Sequence, residues 1–246
     1  MEGSSPLSWA DGPLLGFDME TTGPEPSTAV PVSFAFVLKR GNRMSVQTDL
    51  IDPGVPIPPD ATEIHGITDE MAARGRPLGE AVEAIKSRLL WAEARGIPLV
   101  TQNGSYDLTI IHRLAGLSDW DGPVFDVYVL DKALHKYRKG SRTLSALADH
   151  YQVDMSGAER WADAHDAAGD AVRSVLVLLA MVDKWPWMRA SDPAKWHKRQ
   201  LKMWADQQRA SLSEYFVEQG KEPIPWEDYG WPIKRGVRAS LDEEGC

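Results

Sequence analysis

Residues 14–23 read LLGFDMETTG. A mostly apolar run drives this segment toward a core, and two acids, Asp18 and Glu20, then come one residue apart. In a β-strand alternate side chains share a face, so Asp18 and Glu20 stand side by side at the strand's end while Met19 points the other way. Carboxylates that close repel one another unless one is protonated or a cation lies between them. The segment therefore predicts a strand that ends at a metal site.

The segments C-terminal to this strand set the fold class. AVPVSFAFVLKRGNRMSVQTDLI predicts two strands, over about 30–38 and 43–51, joined by the turn KRGNR. Residues 52–68 hold four prolines and predict a loop. A helix is expected over about 77–95, where Val82, Ile85, Leu89 and Leu90 recur at helical spacing. IPLVTQN reads as a short buried strand, and GSYDLTIIHRLAGL as a helix with Ser105 near its start and Gly116 near its end. VFDVYVLDKALHK passes from strand or turn into a helix; SRTLSALADHYQV and DAAGDAVRSVLVLLAMVDKW are helical. A three-strand meander and then alternating helices and strands predict an α/β fold, a mixed sheet flanked by helices.

Length and composition bound the rest. A chain of 246 residues buries one good core with some length left for an appendage. The expected division is a polar, frayed N-terminus over 1–11, a main domain over 12–183, and a helical, Pro- and Trp-rich extension over 184–246. That extension holds six of the ten tryptophans, and a helix is expected within WHKRQLKMWADQQRASLSEYFVEQG, amphipathic in pattern. Large aromatics in a tail predict docking onto the main domain, the alternative being an arm for a partner. No apolar run reaches membrane length, and the first residues carry no secretory pattern. The only cysteine, Cys246, excludes an intrachain disulfide and a multi-cysteine zinc site; a cytoplasmic protein is expected. The net charge of −9 argues against nonspecific coating of DNA, but a local basic surface is all that a short strand requires.

Three further residues complete a constellation. Asp107 falls in the first turn of a helix that comes after a buried strand, where an acid on its own merely complements the helix dipole. His165 and Asp170 are five residues apart, about 500° of helical rotation, and would not share a face if both were helical. With Asp166 as N-cap, His165 lies on the preceding loop and Asp170 on the first turn, and both can reach one site. A lone loop histidine, equally, is usually structural or solvated.

Taken together, D-x-E-T-T-G after a strand, then IHGIT, then N-x-x-x-D opening a helix, then H-x-x-x-x-D-A opening a late helix, resemble the DEDDh, or DnaQ-like, 3′–5′ exonucleases of the ribonuclease H-like superfamily. The resemblance covers roughly residues 12–183. It implies that Asp18, Glu20, Asp107 and Asp170 bind two divalent ions, Mg²⁺ or Mn²⁺, and that His165 is the general base. It also implies that Thr21 and the neighbouring backbone meet the 3′-terminal nucleotide, with Met19, Ile64, His65, Asn103 and Tyr106 as further substrate-binding candidates. Met19, Ile64 and Tyr106 read equally as core residues, and His65 equally as a structural clamp on the Pro-rich loop. Gln102 stands where many members carry His, and Tyr106 where Phe is usual.

Such a site suits phosphodiester hydrolysis. Two oxygen-ligated cations activate the water and steady the leaving oxygen, and a neutral imidazole accepts the water's proton near neutral pH. The function expected is 3′–5′ hydrolysis of single-stranded DNA ends, in proofreading or repair. An exoribonuclease or oligoribonuclease, or a catalytically silent binding module, are the alternatives. Implied partners are single-stranded 3′ ends and, through the extension, a polymerase or other protein; no membrane is involved. The basic stretch Lys132, Lys136, Arg138, Lys139 and Arg142 reads either as phosphate contacts or as a solvated helix face.

Overall fold

β1 (Leu14–Thr21) lies inside a six-stranded sheet in the computed structural model, which describes residues 8–117, 120–156, 166–225, 229–234 and 236–237. The next two alternating segments pair as the meander requires. β2 (Pro31–Arg40) runs antiparallel to β1 and to β3 (Arg43–Asp52), and Gly41, at φ +56°, supplies the hairpin's left-handed turn residue. β5 (Leu99–Thr101) and β6 (Val124–Asp126) add parallel strands on the other side of β1. β4 (Arg76–Pro77), too short to register as a pattern, pairs parallel with β3. The order β4-β3-β2-β1-β5-β6 is the mixed sheet that the sequence predicts.

Period-two alternation divides β1 between two layers. Phe17 stacks on Phe36 of β2 with centroids 4.8 Å apart. Both are buried with Val82, Ile85 and Leu89 of α3 (Leu78–Glu93) and with Leu108 and Ile111 of α4 (Ser105–Ala115). Each such side chain stabilises the fold by roughly 1.5–3 kcal/mol relative to exposure. The other face takes α7 (Ala167–Lys184), whose Ala167, Ala168, Ala171 and Val172 cluster with Ala35 and Val37. Gly16 sets the spacing there. A Cβ at this position would stand 2.7 Å from the Ala171 carbonyl oxygen and 2.8 Å from Val175 Cγ2. A bare backbone at Gly16 thus lets the start of α7 lie against the strand that carries Asp18 and Glu20.

Two expectations are corrected. The Pro-rich segment 52–68 is not all loop but contains α1 (Pro59–His65), with α2 (Asp69–Ala72) just beyond it. Pro59 occupies the first turn, where its missing N–H and fixed φ cost nothing, and Gly66 at φ +72° ends the helix. The N-terminus, expected to fray through residue 11, is packed from Ser8 onward. Trp9 stacks on Phe125 at 4.3 Å and donates from Nε1 to the Met188 carbonyl at 2.9 Å. An aromatic that large gains more by covering Phe125 than by staying in water.

After α5 (Val127–Leu134), α6 (Leu144–His150) and α7, the chain forms a 3-10 turn (Pro186–Ala190) and α8 (Pro193–Lys195). A π-helical turn (Trp196–Leu201) then leads into α9 (Lys202–Glu218). Trp196 and Trp231 are buried, and His197 Nδ1 accepts the Val124 amide at 3.2 Å. The extension therefore docks on β6 through residues either side of α9. Trp187 stays 49% exposed, and Trp226 lies outside the described residues. α9 itself lacks the expected apolar face: Ser213 is its one buried residue among those described. Among the described residues no helix is long and apolar enough to cross a membrane.

Candidate active site

Strand alternation and the approach of α7 bring three carboxylates together. Asp18, Glu20 and Asp170, all half-buried, each offer an oxygen within 4.8 Å of the other two. Asp107, buried in the first turn of α4, stands beside them. After desolvation, its charge is the strongest influence on Asp18, and it acts on Glu20 as well. His165 lies outside the described residues.

The place of Asp107 is fixed by a residue that local pattern does not single out. Asp126, buried at the end of β6, accepts the amides of Asn103 and Gly104 at 3.0 Å each, and caps α5 by accepting the Tyr128 amide at 3.0 Å. Asn103 holds φ +60°, and a Cβ on Gly104 would meet Thr101 Oγ1 at 2.2 Å. These constraints shape the tight turn that launches α4. The only sequence signal for Asp126 is an acid between a strand and a helix, the ordinary mark of an N-cap.

Two more residues join the site. Asp166 occupies the N-cap position of α7, as expected, and its carbonyl accepts the Asp170 amide at 3.0 Å. Its side chain makes no capping bond. It raises the protonation of Asp18 and Glu20 instead, and lines a cavity of about 560 Å³ together with Glu20 and His65. Arg173, a turn beyond Asp170, places Nη1 2.5 Å from that carboxylate. The spacing i, i+3 is the signal that would have found it.

The substrate-binding candidates separate. Met19 is buried with the core cluster, while Ile64 is 60% exposed on α1. Thr21 Oγ1 and the Tyr106 hydroxyl lie 2.5 Å apart, one donating to the other, and the second hydroxyl donates to the Gly23 carbonyl. His65 Nδ1 accepts the Ile67 amide at 3.1 Å, clamping the turn after α1, and the ring lines the cavity beside Glu20. Burial lowers its pKa, against a weaker opposing pull from the Thr21 backbone. Of the basic stretch, Arg138 and Arg142 are drawn onto buried Asp131 at 3.1 and 2.7 Å.

Burial first, and then crowding, sets the protonation of the acids. Desolvation first, then Asp107, Asp170, Glu20 and Asp166, hold Asp18 well above the usual carboxyl range. Desolvation, then Asp170, Asp107 and Asp166, push Glu20 up to about 8. Asp107 also rises to about 8, by burial, though its own amide and that of Met19 pull it back. The donor set fits a hard divalent cation, since it is all oxygen. Opposite ligands on an ion at ~2.1–2.4 Å stand ~4.2–4.8 Å apart, which the observed spacing allows. Between about pH 4 and 8 the unfolded chain gives up these protons while the folded chain keeps them. Stability of the metal-free protein therefore falls as pH rises through that window. Mg²⁺ is expected to raise the melting temperature at pH 8 and hardly at pH 5. Equal shifts at both pH values in thermal melts would show that the carboxylates do not hold the ion.

Comparison with known proteins agrees with this geometry. A sequence profile described as Exonuclease matches residues 15–178. A DNA polymerase III subunit epsilon-like protein of Rhodobacter capsulatus is 30% identical over 172 residues, 68% of this chain and 23% of that protein. A PolC-type DNA polymerase III of Lacticaseibacillus paracasei is 29% identical over 180 residues, 72% of this chain and 12% of that one. The chain thus spans less than a quarter of these curated relatives. Exonuclease X, solved in complex with 5′ overhanging duplex DNA, superposes with a TM-score of 0.55 at 20% identity, over 73% of this chain and 97% of that one. E. coli Exonuclease I in complex with a dA16 oligonucleotide gives 0.59 at 18% identity, over 73% and 42%. At such identities the superpositions establish a shared fold. With the profile spanning β1 through most of α7, the chain belongs to the exonuclease family, in its DnaQ-like branch of the ribonuclease H-like superfamily.

Proposed function

We propose that this chain is a metal-dependent 3′–5′ exonuclease acting on the ends of single-stranded DNA. Asp18, Glu20, Asp107 and Asp170 would hold two Mg²⁺ or Mn²⁺ ions, and His165 would serve as general base. The observation that supports it most is the convergence of three carboxylate oxygens within 4.8 Å, with a fourth buried acid pressing on them. When bound, divalent ions supply an acidified water and charge stabilisation at the leaving oxygen.

The chain's own residues do the rest. His165 precedes Asp166 directly in sequence, and a neutral imidazole there takes the proton of the attacking water. The cavity lined by Glu20, His65 and Arg74 receives the terminal nucleotide. The Thr21–Tyr106 pair, tied to the Gly23 carbonyl, keeps the end of β1 rigid against it. The polymerase-related names of the sequence relatives and the DNA-bound structural neighbours favour DNA over RNA. They also favour a polymerase as partner.

A time course on 5′-labelled single-stranded DNA and RNA, with Mg²⁺, Mn²⁺ or chelator, tests this reading. The expected result is a ladder shortening one nucleotide at a time from the 3′ end, faster on DNA, and absent in chelator. Internal cleavage, or hydrolysis in chelator, would contradict it. Faster shortening of RNA would transfer the proposal to an exoribonuclease.

A further inference from the structure

Three cavities outside the acidic site adjoin one another along α5, and two of them face α9. They measure about 130, 470 and 680 Å³, and Lys132 lines all three. The first two also share Asn103 and Tyr128, and the first and third share Gln208 and Leu212. The result is a continuous groove. It begins at Asn103, four residues before Asp107 in the turn that launches α4, and runs to Tyr215 on α9. One wall is the exonuclease domain; in the 130 and 680 Å³ cavities the other is α9, which lies beyond the segment matched by the family profile.

The lining has a consistent chemistry. Lys132, Lys136 and Arg209 bring positive charge to a chain of net charge −9, and no ion pair holds any of them among the described residues. Asp206 is the acid on the α9 wall, while Asp126 is occupied by backbone amides. Tyr128, with Lys132 Nζ 4.3 Å from its ring centroid, and Trp204 and Tyr215 supply aromatic surface. Basic groups that track a backbone, interleaved with rings on which bases stack, are the ordinary makings of a single-strand groove. The α9 wall is anchored: Gln208 Nε2 donates to the Val129 carbonyl at 3.0 Å, Trp231 is buried, and the Lys234 amide donates to Thr109 on α4 at 3.0 Å.

We propose that this groove carries the single-stranded nucleic acid leading away from the 3′ end, so that the C-terminal extension forms one wall of the substrate path. The proposal rests on the exonuclease reading for its substrate, and its test is independent of catalysis. Anisotropy of 5′-labelled single strands of roughly 3 and roughly 15 nucleotides is measured in chelator against salt. Lys132→Glu with Arg209→Glu is expected to weaken binding of the longer strand by about tenfold or more and to lower the salt slope by about 2. Lys136→Glu, on the same groove and exposed, should do so to a smaller degree and guards against misfolding of the double variant. Arg43→Glu, on β3 and away from the groove, should change neither quantity. Unaltered affinity and salt slope in both groove variants would overturn the proposal, as would an equal loss in Arg43→Glu. If the groove variants lose binding while the wild type never shortens a strand with metal, the groove stands and the nuclease reading fails. If the wild type shortens strands and the groove variants bind normally, the reverse holds.

Discussion

Asp18→Asn is expected to lose more than about 10³-fold of metal-dependent turnover and, without metal at pH 8, to melt at a higher temperature than the wild type. The two effects have one cause. Asp18 sits where the charges of Asp107, Asp170, Glu20 and Asp166 converge on a desolvated carboxyl. Removing its charge relieves a repulsion that the fold otherwise sustains, a gain on the order of 1–3 kcal/mol. In a chain of this size that is about 2–4 °C per kcal/mol. The same removal deletes a ligand that the cations require, and several kcal/mol of charge stabilisation go with it, hence the three orders of magnitude. A destabilising mutation that merely disrupts the fold would lower both quantities. Opposite signs in a melt and a turnover assay therefore mark a metal ligand, and a lower melting temperature with intact turnover would remove Asp18 from the site.

His165→Ala is expected to slow hydrolysis by about 10²–10⁴-fold at saturating Mg²⁺. Rate in the wild type should rise with pH through the range where an imidazole deprotonates, about 6–7, because the neutral ring is the form that accepts a proton. The variant should lose that inflection and keep its metal affinity. A variant with wild-type turnover, or with an unchanged pH profile, would assign the base elsewhere. Asp166, which lines the cavity with Glu20, would be the first group to examine.

What could be read from the sequence, and what could not, divides along physical lines. The pairing of Asp18 with Glu20 was legible because a strand's period is fixed, so one residue of separation dictates a shared face. The meander and its hairpin turn were legible for the same reason. Asp170 was legible only through its neighbour, since an N-cap at Asp166 is what turns the helix's first residues toward the strand. Asp107 in isolation looked like a dipole complement. Its position depends on Asp126 holding the amides of Asn103 and Gly104, a contact across more than twenty residues that no local pattern records. α1 was hidden by its own prolines, which break a helix inside but start one at the first turn. Six tryptophans announced a docked extension. They did not reveal that α9 would stand as an exposed wall, because which rings are covered is decided by the partner surface on β6 and α4.

The most direct measurement is a calorimetric titration of Mn²⁺ into the wild-type chain and into Asp18→Asn near neutral pH. Two ions per wild-type chain are predicted, entering with release of the protons held on Glu20 and Asp107, whose pKa values stand at about 8. The substituted chain should bind fewer or none. No binding by the wild type, or the same isotherm from both proteins, would contradict the claim that these acids gather to hold cations.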